Sequence, residues 1–94
     1  MGPVGRKIKE KLEAAFSPLH LEIRDDSEKH RGHAGYDPRG ESHFHITVVS
    51  KNFDSKSRIE RQRMIHKTIA DEINTRIHAV SLSLHTPEEY SAEE

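Results

Sequence analysis

The sequence predicts an α+β domain of two layers, in the order α-β-β-α-α-β-α, with the helices on one face of a three-stranded sheet. Apolar residues recur at helical spacing from Val4 to Phe16 and again around Ile65 to Ile73. Two other stretches, His43 to Lys51 and Arg76 to His85, alternate with period two as half-buried strands do. At 94 residues the chain has room for one core, so these stripes must bury against one another in a single domain spanning 1–94.

Val4, Ile8, Leu12, Ala15 and Phe16 form one apolar stripe, with Arg6, Lys7, Lys9, Glu10, Lys11 and Glu13 on the wet side. Ser17-Pro18 should end this first helix, because proline offers no N–H and disfavours helical geometry in the residue before it. Leu19, Leu21 and Ile23 then alternate with polar residues, giving a first strand. Asp25 to Ser42 has almost no apolar content and contains Gly32, Gly35, Pro38 and Gly40. It reads as a long mobile loop, of a length that in a small domain usually serves function. In the second strand Phe44, Ile46 and Val48 share one face, and His43, His45, Thr47 and Val49 the other.

Ser57-Arg58-Ile59-Glu60 has the form of a capping box, starting helix that runs to about Asn74. Ile65, Ile69 and Ile73 stack at i, i+4, i+8, flanked by Met64 and Ala70. Ile59 falls off that stripe, so a short helix bending into a longer one is expected. Val80, Leu82 and Leu84 alternate with Ser81, Ser83 and His85 in the third strand. Thr86-Pro87-Glu88-Glu89 opens a terminal helix that frays over 91–94, by its cap residue, first-turn proline and acidic start. Strand parity leaves Glu22, Arg24, His43, His45, Thr47, Ser81, Ser83 and His85 on a wet second face of the sheet.

Composition narrows the function. With no cysteine, the chain cannot form disulfides, offer a thiol nucleophile or hold an iron–sulfur cluster alone; its eight histidines are the remaining soft ligands. A net charge of −1 argues against a uniformly basic nucleic-acid binder. No apolar run reaches membrane-spanning length and Met1 to Lys11 lacks the apolar block of a signal peptide, so a cytoplasmic protein without membrane attachment is expected. No catalytic set is evident. Asp25-Asp26 and Asp71-Glu72 are adjacent pairs whose side chains point apart, and an enzyme is not expected.

The charge is nonetheless polarised. Residues 51–67 carry Lys51, Lys56, Arg58, Arg61, Arg63 and Lys67 against Asp54 and Glu60, a net +4, which leaves −5 for the remainder. A basic loop and helix start could contact phosphates through Lys56, Arg58, Arg61, Arg63 and Lys67, although such runs also serve simply as solvated helix faces. Among the histidines, His43 and His45 lie two apart on a strand and point the same way. Two imidazoles alone make a weak metal site, and a polar sheet face is the better reading. His20, His66 and His85 belong to no constellation. His78 has the parity of Val80, Leu82 and Leu84, and taken alone reads as a partly buried, hydrogen-bonded residue.

Glu41-Ser42-His43-Phe44 leading into Val48-Val49-Ser50, then Phe53, Ser57-Arg58, Arg61 and Arg63, Ile77-His78-Ala79 and Thr86-Pro87-Glu88, closely resemble the BolA family, from about Ile8 to Glu89. The resemblance implies a KH-like fold of the second topological class and a partner protein, a monothiol glutaredoxin, with which family members form a heterodimer holding a [2Fe–2S] cluster. It also implies that some bacterial members regulate transcription by binding DNA. The family's C-terminal histidine ligand falls on His78. Its loop ligand falls on His30, which follows Ser27 at the family's Ser-x-x-His spacing, or on His33, which the flanking Gly32 and Gly35 could bring inward. His30 is preferred. One departure is Gln62, where the family usually has histidine between the two arginines; another is a loop longer than in compact members.

With no cysteine here, the remaining cluster ligands would have to come from outside, and the resemblance implies that they are a glutaredoxin thiolate and glutathione; the free chain is expected to be a monomer or weak homodimer. Duplex DNA bound by the basic 51–67 segment is the rival reading. A literal G-x-x-G at Gly32 to Gly35 lies between strands, whereas the KH clamp lies between helices, where this chain has Phe53-Asp54-Ser55-Lys56-Ser57 without glycine. Single-stranded RNA binding of the ordinary KH kind is therefore not expected.

Overall fold

A computed structural model describes residues 2–26, 43–75, 77 and 79–93. Its elements are α1 (Pro3–Phe16), β1 (His20–Asp25), β2 (His43–Val49), a 3-10 turn (Lys51–Phe53), α2 (Arg58–Thr68), α3 (Ala70–Thr75), β3 (Ala79–His85) and α4 (Pro87–Glu93). The fold is α+β, in the order read from the sequence. The sheet order is β1-β2-β3: β1 pairs antiparallel with β2, and β2 pairs parallel with β3 across the α2–α3 connection.

The core forms where the stripes meet. Ile8, Leu12 and Phe16 of α1 and Ile65 of α2, with Ile69 just beyond it, close over Phe44, Ile46 and Val48 of the central strand. Leu21 and Ile23 on one side and Val80, Leu82 and Leu84 on the other pack against this centre but remain partly exposed, as edge strands leave them. Phe53 is fully buried and its ring lies 5.3 Å from that of Phe16.

Helix ends are satisfied locally. The last carbonyls of α1 have no partner within the helix. Ser50 Oγ donates to the Phe16 carbonyl (2.7 Å) and Asn52 Nδ2 to that of Ala15 (3.1 Å), so the 3-10 turn, which the sequence reading did not include, caps α1. Ser17 leaves the helix in the left-handed region (φ 43°), and its N–H donates to Glu13 O. Both expected N-caps are present. Ser57 and Glu60 exchange backbone and side-chain bonds (2.9 and 3.1 Å), as do Thr86 and Glu89 (3.0 and 3.2 Å).

Several expectations need correction. β1 continues through Asp25, paired with Phe44, and Asp26 N–H donates to His43 O (2.7 Å), so the connection expected over 25–42 starts later; its residues 27–42 lie outside the described residues. The two helices after β2 come in the opposite order, eleven residues and then six, with the break at Ile69 (φ −111°, ψ 27°). Thr68 Oγ1 donates back to Met64 O (2.8 Å), the kind of local bond that bends a helix, directly before the break. Ile59, off the buried stripe, is 61% exposed.

The second sheet face is not uniformly wet. His43 is 7% exposed and Val49 2%, although both have outward parity. Val49 stands between His20 and His85 in the register, and Tyr90 of α4 stacks on His20 (5.4 Å, 19°) and tilts against His85 (6.0 Å). Helix α4 therefore wraps the end of the sheet, bringing an aromatic ring to the face opposite α1, α2 and α3.

Candidate functional site

The five cations expected to form one basic surface are divided by the fold into three groups. Arg61 is turned inward, its side chain 13% exposed. Nε donates to the Lys56 carbonyl (3.0 Å) and Nη1 to that of Leu84 (3.3 Å), while Nη1 and Nη2 clasp Glu89 Oε1 and Oε2 (2.7 and 3.1 Å). The guanidinium also lies 5.8 Å from the Phe53 ring centroid. It thus joins the loop before α2, the end of β3 and α4, and its fork geometry suits a task that a point charge could not perform.

The pair perturbs both partners. The Arg61 guanidinium first, and the Thr86 N–H second, hold the Glu89 carboxyl down at about 2; the Glu89 carboxylate raises Arg61 further. Arg61 is accordingly a structural clasp, and its expected role as an available phosphate contact has to be set aside.

Lys56 and Arg58 are exposed at the start of α2 and line a groove between that helix and β3, of about 530 Å3, with Gln62, Leu82 and His85. Arg63 and Lys67 are exposed four residues apart. At 100° per residue they share the stripe of Ile59, turned away from the buried Ile65 and Ile69. A ligand in the groove therefore meets Lys56 and Arg58 but not Arg63 and Lys67.

Five histidines fall among the described residues. His45 bridges two hydroxyls of the neighbouring strand, Nδ1 with Ser81 Oγ at 2.7 Å and Nε2 with Ser83 Oγ at 3.2 Å. His20 and His85 flank Tyr90, His66 is exposed on α2 and His43 is buried at the start of β2. Among the described residues no three His, Asp or Glu side chains are grouped to hold a metal. His30, His33 and His78, the expected cluster ligands, lie outside the described residues. Nor is any helix among the described residues long and apolar enough to cross a membrane.

Away from the groove, Lys11 of α1 donates to both carboxylate oxygens of Glu72 on α3 (2.9 Å each), with Glu72 8% exposed. Nothing in the sequence pattern linked these residues, which lie 61 positions apart. Arg61 was similarly misread as a surface cation. The one available signal was Thr86-x-x-Glu89, a capping box that orients Glu89 before any partner is known.

A three-stranded sheet closed by α1, α2 and α3, with α4 clasped back through Arg61 and Glu89, defines a small α+β domain built on a mixed sheet. The chain belongs to the BolA-like protein family, whose model matches residues 12–89. It is 40% identical over 87 residues to the DNA-binding transcriptional regulator BolA of Escherichia coli (strain K12), covering 93% of this chain and 79% of that protein. It is 39% identical over 93 residues to the chloroplastic/mitochondrial SufE-like protein 1 of Arabidopsis thaliana, covering 95% of this chain but only 25% of that protein. The solved BolA domain of SufE1 from Arabidopsis thaliana superposes with a TM-score of 0.85 at 40% identity, over 95% of this chain and 98% of that one.

Proposed function

We propose that the chain is an adaptor, not an enzyme, that pairs with a monothiol glutaredoxin and shares a [2Fe–2S] cluster with it, in cluster assembly, transfer or iron regulation. The observation that carries this reading is membership of the BolA-like family by a chain with eight histidines and no cysteine. Such a chain can offer imidazoles to one iron but must obtain thiolates from outside. Three of the described histidines are engaged elsewhere, His45 by two serines and His20 and His85 by Tyr90, which supports the assignment. His78 and one of His30 or His33 would be this chain's ligands, and a glutaredoxin cysteine with glutathione would supply the sulfur. Imidazole binds iron when neutral, so the shared cluster should be lost as pH falls through the histidine range. Reconstituting the chain with a monothiol glutaredoxin, iron, sulfide and glutathione, and recording absorbance and stoichiometry, tests the reading. A cluster spectrum indistinguishable from that of the glutaredoxin alone overturns it.

A second reading, binding to duplex DNA, is favoured by the exposure of Lys56, Arg58, Arg63 and Lys67 and by the relative named as a DNA-binding regulator. Affinity should fall with salt, and replacing Arg63 and Lys67 by alanine should reduce the log–log salt slope by about 2 if both touch phosphate. Absence of binding at low salt removes this reading.

A further inference from the structure

We propose that the free edge of β3, together with the groove between β3 and α2, accepts an extended acidic polypeptide segment as a fourth strand. Among the described residues β2 is the one strand neighbour of β3, which lies last in the sheet order. The His85 carbonyl faces β2, where it accepts from Ser50 N–H (3.0 Å). Peptide groups alternate in direction along a strand, so those of Val80, Leu82 and Leu84 face the open edge. Arg61 bears this out by donating to the Leu84 carbonyl from that side.

Within the strand itself, the sequence devices that protect an edge are missing. Edge strands commonly carry lysine, proline, a bulge or an inward charge that blocks further pairing. Ala79–His85 has no proline and no Lys, Arg, Asp or Glu, and alternates Val or Leu with Ser over most of its seven residues. Its Val80, Leu82 and Leu84 side chains are only half-buried, so the groove beside them stays open to side chains of an added strand.

Charge selects the occupant. Arg61 is neutralised by Glu89, so the groove's positive field comes from the exposed Lys56 and Arg58. A strand with Asp or Glu side chains on the groove side would complement both. The same features disfavour a single-stranded nucleic acid, because among the described residues no Phe, Tyr or Trp lines the groove as a stacking platform, and outward N–H and C=O groups complement a peptide backbone. This inference is independent of the cluster reading.

The test uses the full chain labelled with nitrogen-15 and a fluorescein-tagged seven-residue peptide alternating Val with Glu. The peptide should shift the amides of Val80 and Leu82 and slow their exchange with solvent. The paired Lys56→Glu and Arg58→Glu substitutions, both at exposed positions, should weaken binding at least tenfold with the circular dichroism unchanged. Four results would each overturn the proposal: shifts confined to other elements, equal affinity for a Val-Lys peptide, tighter binding of a ten-residue oligothymidylate to the same amides, or β3-to-β3 self-pairing that the acidic peptide does not displace.

Discussion

Replacing Arg61 by alanine should destabilise the fold far more than removing an ordinary surface cation. The guanidinium bonds the Lys56 and Leu84 carbonyls and covers the Phe53 ring. At about 1 kcal/mol net per hydrogen bond and about 0.5 kcal/mol for the cation–ring contact, the loss is about 2–3 kcal/mol before any contribution from Glu89. In a domain of this size that lowers Tm by about 10–20 °C. Urea denaturation and thermal melts followed by circular dichroism measure it. Arg61→Lys should recover only part, because one ammonium cannot reach both carbonyls and both carboxylate oxygens. The pH dependence gives a second handle. Glu89 sits at about 2 when folded, below its ordinary 4.5, so the unfolded chain binds this proton more tightly. The stability advantage of the native chain over Glu89→Gln should be constant near neutrality. It should shrink as pH falls from about 4.5 towards 2. A loss below about 0.5 kcal/mol for Arg61→Ala, the range of ordinary surface substitutions, would refute the clasp. So would an advantage over Glu89→Gln that persists undiminished to pH 2.

Other substitutions test the remaining supports. Lys11→Met leaves the buried Glu72 carboxylate without its ammonium and should cost about 1–3 kcal/mol in urea titration, whereas Lys11→Met combined with Glu72→Leu should recover most of the loss. Ser57→Ala removes the hydroxyl that accepts from Glu60 N–H, and calorimetry should register a loss of about 1 kcal/mol. Ile46→Ala opens a void at the fully buried centre of β2 and should cost about 2–5 kcal/mol, read from the same denaturation midpoints.

Periodicity made the architecture legible because it records burial, and burial of each stripe is a local property. Ile8, Leu12 and Phe16 are buried at the spacing that predicted α1, and Phe44, Ile46 and Val48 at the alternation that predicted β2. The capping box at Ser57 and the helix start at Thr86 were readable for the same reason, since the signals that mark them lie within three residues of the cap. What escaped depends on elements distant in sequence. His43 and Val49 look outward by parity, and the burial of Val49 follows from Tyr90 returning over the sheet 41 residues later. Leu19 fits the alternation of β1 yet is 66% exposed, because it precedes the strand while its N–H still donates to Val49 O.

The candidate site divides along the same line. The charge count identified a basic segment correctly, but it could not separate Arg61, whose acceptors lie 23 and 28 residues ahead, from Arg63, which is exposed. The β3 edge was invisible to periodicity, because Val80, Leu82 and Leu84 alternate identically whether the strand is central or last. The histidine ligands were named by family resemblance alone; of the described histidines, His45 is accounted for by hydroxyls, His20 and His85 by an aromatic ring and His43 by burial, while His66 is exposed.

The central claim is that His78 ligates a cluster whose sulfur comes from a partner. The most direct measurement is the visible absorbance and circular dichroism of the cluster formed with a monothiol glutaredoxin and glutathione, comparing the native chain with His78→Ala. The account predicts that the substitution changes the spectrum and shortens the cluster's lifetime while the fold is retained. A spectrum and lifetime identical to those of the native pair would contradict it.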